Sequence, residues 1–233
     1  LSGKVTASNL NAALSYSGEI NLPAFNARQF LQQINQPLPP MTDSTVLQNV
    51  ALTSAFGGTA SSFNLNNMKL QLDDSNISGS LAISDLASMA TKFSVNIDQL
   101  NADRYMAPAT TEPTASNAEA TPLQTEQLQA LNVQGSLIVG KLTINRLQMS
   151  DIEIQLAAAN GEIVLNPFNA NLYSGTFNGD IRLNAKGAVP TATVSTTLNQ
   201  VNLEPLLKDF MDATYVTGMA NIQLSLNGSG ADT

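Results

Sequence analysis

With 233 residues, 43% of them hydrophobic, the chain can bury a sizeable core as one large β domain or as two smaller units, and global disorder is excluded. Only 12% of residues are charged, about half the usual share, so Asn, Ser, Thr and Gln must wet the surface, and these suit strands and turns better than helices. The balance of 10 Lys plus Arg against 18 Asp plus Glu, a net charge of -8 without a cationic cluster, argues against nucleic acid and against an anionic membrane surface as partners.

Cys, His and Trp are absent from the sequence. Disulfides, thiol chemistry and thiolate metal sites are thereby excluded, and so are the commonest general base and the commonest transition-metal ligand. No apolar run reaches the roughly 18 residues of a membrane span and no signal peptide opens the chain, so the expectation is an excised soluble fragment.

In chain order, the first part (residues 1–106) carries strands at Phe63–Leu72 and Ile77–Ile83, joined by a turn at Asp73-Asp74-Ser75-Asn76. Residues 107–121 (APATTEPTASNAEAT, with Ala107 first) hold no large apolar side chain and read as a linker, expected to be mobile and the first place cut by limited proteolysis. The second part (122–233) opens with Leu123, Leu128 and Leu131 near helical spacing, which predicts a short helix over Pro122–Leu131. Ile152, Ile154 and Leu156 then alternate with Asp151, Glu153 and Gln155. The Asn160-Gly161 pair is a hairpin signal leading to Glu162–Leu165. Further strands follow at Asn171–Tyr173, Thr176–Leu183, Val194–Leu203 and Thr217–Leu226. Short strands at this rhythm imply a mainly β antiparallel meander.

A sparse repeat links LPAFNARQFL (Leu22–Leu31), IDQLNADRYM (Ile97–Met106) and LNQVNLEPLL (Leu198–Leu207). Each copy reads as strand, Asn, short helix. Asn26, Asn101 and Asn202 are predicted N-caps, with Asp103 and Glu204 in the first turn, where negative charge is favoured.

Catalytic residues are not found. GxSxG, GxxxxGK[ST], GxGxxG and EF-hand patterns are missing, and no Lys has a Ser three residues before it. Asp73-Asp74 reads as turn chemistry, and Asp209 with Asp212 as a solvated helix face rather than a metal site. The stripe Ile152, Ile154, Leu156, Ile163, Leu165, Leu172 and Ile181 forms one dry face. Periodicity alone fits either a closed core or an open groove, since both need such a face. Thr191–Leu198 (TATVSTTL) is a candidate unpaired strand edge for a partner protein.

The order of these segments carries a resemblance. LQLDDSNISGSLAI (Leu70–Ile83), FSVNIDQLNADRYMAP (Phe93–Pro108) and the stretch from Leu137 to Ala185, with Asn160-Gly161 and Leu172-Tyr173-Ser174-Gly175, resemble the C-terminal periplasmic part of the AsmA family. Val201–Leu207, Gly218 and Leu224–Gly228 continue the likeness. The resemblance implies an open, curved antiparallel sheet, taco-like, with short capping helices. It implies a periplasmic module of a protein anchored in the inner membrane, related to TamB and to bridge-like proteins whose grooves carry phospholipid toward the outer membrane. A role in outer-membrane protein assembly, as a scaffold for another envelope protein, is the alternative. The expected partners are phospholipid acyl chains or envelope proteins. No enzymatic activity, cofactor or metal is expected.

Overall fold

A computed structural model of the chain describes residues 2–8, 13–108, 125–187, 189–212 and 214–230. From residue 109 onward the predicted linker lies outside the described residues. The elements in order are β1 (Ser2–Ser8), β2 (Ser15–Phe25), α1 (Ala27–Gln33), β3 (Val50–Thr59), β4 (Phe63–Leu72), β5 (Ser75–Asp85) and β6 (Ala90–Asn101). A 3-10 turn (Ala102–Arg104) follows, then α2 (Thr125–Ala130), β7 (Asn132–Ile144), β8 (Leu147–Ala159), β9 (Glu162–Leu172), β10 (Gly175–Asn184), β11 (Thr191–Asn202), α3 (Leu203–Met211) and β12 (Met219–Ser229). All strands join one 12-stranded sheet in sequence order, so strands on both sides of residues 109–124 share a single sheet.

Pairing is antiparallel except between β6 and β7, which run parallel. The meander expectation therefore holds with one exception. A parallel step needs a crossover of roughly a dozen residues or more, and the chain between Asn101 and Asn132 is long enough to supply it. Tight turns close several hairpins. Asn160-Gly161 has φ of 52° and 77° at its two positions, as a type I′ turn requires. Asn145-Arg146 (49° and 66°) and Tyr173-Ser174 (46° and 67°) adopt the same conformation without glycine.

The alternation is re-phased by bulges. Asn67, Asp151 and Gln200 have φ near 50° (54°, 49° and 53°), and the register shifts beside each of them. A bulge adds a residue to one strand, bends it and increases its twist. In β4 the inward position accordingly passes from Leu65 to Met68, and in β11 from Leu198 to Val201.

The sheet is a single layer. Among the helices of the described residues, only α3 and the 3-10 turn make more than incidental contact with a strand. The buried hydrophobics among the described residues are Val46, Val139, Ile152, Ala158, Ala170, Ala185 and Val201. Of these, Val139, Ile152 and Ala170 form a small cluster packed by Ile97, Leu142, Phe168 and Phe177.

The three repeat copies each place Asn directly before a helical element. Asn26 accepts a hydrogen bond from the Gln29 amide at 2.9 Å, and Asn202 accepts one from the Glu204 amide at 3.3 Å. Asn101 departs from the expectation. It occupies the N-cap position of the 3-10 turn but makes no side-chain cap bond. The turn is only three residues long, and its acidic Asp103 instead accepts from the amides of Asn145 and Arg146 in the β7–β8 turn. Asn26→Ala and Asn202→Ala should each destabilise the chain by roughly 0.5–2 kcal/mol, with Asn101→Ala below that range, as read from urea denaturation midpoints.

The strand directions, with their one parallel step, bring the C-terminal ends of β2, β6 and β11 to the same end of the sheet. There α1, the 3-10 turn and α3 each follow the end of one of these strands. Thr191–Leu198 is not an edge. It lies in β11, paired to β10 on one side and β12 on the other.

Candidate functional site

Register aligns the inward side chains into rows that run across the strands. One row runs Val5, Gly18, Phe56, Leu65, Leu81, Phe93, Gly135, Leu156, Leu165, Ile181, Val194 and Leu226. The next row but one, from β2 to β8, runs Leu22, Leu52, Leu70, Ile77, Ile97, Val139 and Ile152. The two glycines of the first row give space to aromatic rings, since a Cβ on Gly18 would meet the Phe56 ring and one on Gly135 the Phe93 ring. On the other face a row of Ser78, Asn96, Ile138, Glu153, Asn169, Asn178, Thr197 and Gln223 is almost wholly polar.

The predicted stripe divides on this surface. Ile152 is buried, 2% exposed, within the small cluster. Ile154, Leu156, Ile163, Leu165 and Ile181 lie on the apolar face and are half-buried. Their partial cover comes from one another and from cross-strand neighbours, for example Leu137 and Phe168 on either side of Ile154. Leu172 stands lower, where it lines a depression of about 710 Å³ with Leu142, Met149 and Tyr173.

The helix-bearing end is tied by carboxylates. Asp73, in the β4–β5 turn at φ 52°, accepts hydrogen bonds from the amides of Leu47 (2.7 Å), Gln48 (2.9 Å) and Asn49 (3.1 Å) and from the Tyr105 hydroxyl (2.8 Å). Burial works to raise the Asp73 carboxyl, but these four donors together hold it below its ordinary value. Burial and the same carboxylate push the Tyr105 phenol up. Arg104 bridges Asp43 at 2.8 Å and Asp74 at 2.7 Å, so both turn aspartates do more than form a turn. In the second half of the sheet the Tyr173 hydroxyl donates to Asp209 at 2.8 Å, and Gln148 donates to the same oxygen at 3.3 Å. Asp209 is thus a tether between α3 and the strand ends rather than part of a solvated face, and Asp212 is the left-handed C-cap residue of α3. These contacts were hidden from the sequence because they join residues 24 to 61 positions apart.

Asp43 is held at about 2, chiefly by the Thr45 hydroxyl and amide and then by Arg104. A carboxyl depressed in the folded state stabilises it above the ordinary value and loses that contribution as pH falls through the folded one. For Asp43 the window therefore lies between 3.8 and about 2. The Thr45 amide resonance should titrate across that window by NMR, and Asp43→Asn should abolish the titration.

This geometry defines a class, a one-layered amphipathic β-sheet with an open apolar face and a tethered end. The AsmA family model matches residues 4–233, and the chain belongs to the AsmA family. The family is associated with the bacterial envelope, which fits a part in envelope biogenesis. Among curated proteins and among solved structures no match is found. No helix among the described residues is long and apolar enough to cross a membrane.

Proposed function

We propose that the apolar face is a passive groove for phospholipid acyl chains, within the periplasmic part of an inner-membrane-anchored protein that serves outer-membrane biogenesis. The observation that carries this is an apolar row spanning every strand, with no second layer over it among the described residues. Such a face lets acyl chains lie across the strands while head groups stay in water. Each CH₂ removed from water contributes about 0.8 kcal/mol, so an acyl chain gains substantially without any ionic contact. The low charge of the chain suits different head groups, and no chemical step is required of the protein.

Photo-crosslinking residues placed singly at Ile154 and Leu165 of the membrane-anchored parent should yield phospholipid adducts in cells. Ile138, on the opposite face and 47% exposed, is the control. Equal adducts at Ile138, or none at Ile154 and Leu165, would sink the groove. The second reading, a scaffold for another envelope protein, draws on β12, which among the described residues pairs on one side alone.

A further inference from the structure

We propose that the depression beside Tyr173 is a saccharide site, shaped for an extended, β-linked oligosaccharide of the N-acetylhexosamine class that lies across the strands. Its lining comes from β7, β8, β9 and β10, each paired on both sides, so the site is complete whatever adjoins the outermost strands. Its volume of about 710 Å³ is in the range of small-molecule sites. Register puts four of its polar residues in one line. Lys141 stands opposite Ser150, Ser150 opposite Asn171, and Asn171 opposite Thr176. Gln99 and Asn199 prolong the line on its two sides. Leu142 and Met149, which alternate with Lys141 and Ser150 along the strands, pack with the apolar cluster, so this polar line is separate from the groove.

The ligand's chemistry follows from the spacing and the groups. Neighbouring strands lie about 4.8 Å apart, close to the rise of one pyranose unit in an extended β-linked chain. A glycan crossing the strands therefore meets one polar side chain per sugar. Asp151 accepts hydrogen bonds from the Ser150 hydroxyl at 3.2 Å and the Asn171 amide at 2.9 Å, which holds both side chains in place. The Ser150 oxygen and the Asn171 carbonyl still have capacity to accept from sugar hydroxyls and acetamido N–H groups. Tyr173, tied through its hydroxyl to Asp209 at 2.8 Å, adds a fixed aromatic ring to the lining. Among the described residues Lys141 has no carboxylate within ion-pair distance, and the charge of Asp151, beside Ser150, offsets its own. One cation matched by one carboxylate suits a neutral ligand rich in hydroxyls, whereas a phosphate calls for converging cations.

Titration of the isotope-labelled full chain with tetra-N-acetylchitotetraose, followed by NMR, is the direct test. Amide and side-chain resonances at Lys141, Ser150, Asn171 and Thr176 should shift and saturate in the millimolar range. Maltotetraose, whose α linkages curve the chain away from a straight line, should leave them unmoved. Asn171→Ala and Lys141→Ala, both at exposed positions, should each weaken binding by about fivefold or more, the loss of a single hydrogen bond or its charged equivalent. Asn178→Ala, in the polar row through Asn169, should leave binding unchanged. Absence of shifts, equal shifts with maltotetraose, or shifts confined to Ile154 and Leu165 on the apolar face would overturn the proposal. So would inorganic phosphate that reproduces the shifts and competes with the tetrasaccharide, since the site would then be one for anions.

Discussion

Ile152→Ala should destabilise the chain by about 2–5 kcal/mol, the cost of deleting a large aliphatic side chain from a closed cluster. Ile152 is 2% exposed and packs with Val139 and Ala170 under Phe168 and Phe177. Leu165→Ala should cost less than about 2 kcal/mol, because a half-buried side chain leaves part of its surface in water already and its loss opens no sealed cavity. Urea denaturation of the two variants measures the difference directly. Losses of similar size would mean that Leu165 is covered by a second layer in solution, and the open face would have to be abandoned. A phospholipid that binds only the folded chain adds a further test. It should raise the wild-type midpoint by mass action, and the rise should shrink in Leu165→Asp.

The face was legible in the sequence because period 2 survives in the inward runs Ile152 to Leu156, Ile163 to Leu165 and Phe177 to Leu183. Where it fails, the cause is local. At Asp151 and Gln200 a residue is inserted in the left-handed region, and neither carries a glycine to signal it. Tyr173-Ser174 and Asn145-Arg146 close type I′ turns without the glycine that usually marks the second position, so only Asn160-Gly161 announced itself. The position of a strand within the sheet is not a local property at all. Thr191–Leu198 is uncharged and β-branched, features shared by exposed edges and central strands, and only its two partners show that it is central. The direction of β7 relative to β6 is set by the path between them and leaves no mark on either strand. The Asn repeat, by contrast, was visible because capping needs only contiguous residues, and it fails as a cap where the following helix shrinks to a 3-10 turn.

The second large effect is expected at Asp73, whose partners lie 24 to 32 residues away. Asp73→Ala strands three backbone amides and the Tyr105 hydroxyl in a partly buried turn. Hydrogen bonds to a charged acceptor contribute roughly 1.5–3 kcal/mol each, but water can reach some of these donors, so a total near 2–4 kcal/mol is expected. The loss has a structural consequence beyond the turn. Leu47–Asn49 follow Val46, which is fully buried and whose carbonyl accepts from Arg28 of α1 at 3.2 Å. Freeing the amides should therefore loosen α1 together with the loop, and hydrogen exchange should speed up over residues 27–49 before it does in β7–β10. Tyr105→Phe removes one of the four donors and should cost about 1 kcal/mol, with strong coupling to Asp73→Ala in a double-mutant cycle. Acid supplies an independent check. Because the folded Asp73 carboxyl lies below its ordinary 3.8, the wild type should lose stability as pH falls from that value through the folded one, and Asp73→Asn should lack that part of the loss. If Asp73→Ala left both the urea midpoint and the exchange of residues 27–49 unchanged, water would be replacing the carboxylate without penalty, and the end of the sheet would be held by the Arg104 bridges to Asp43 and Asp74 instead.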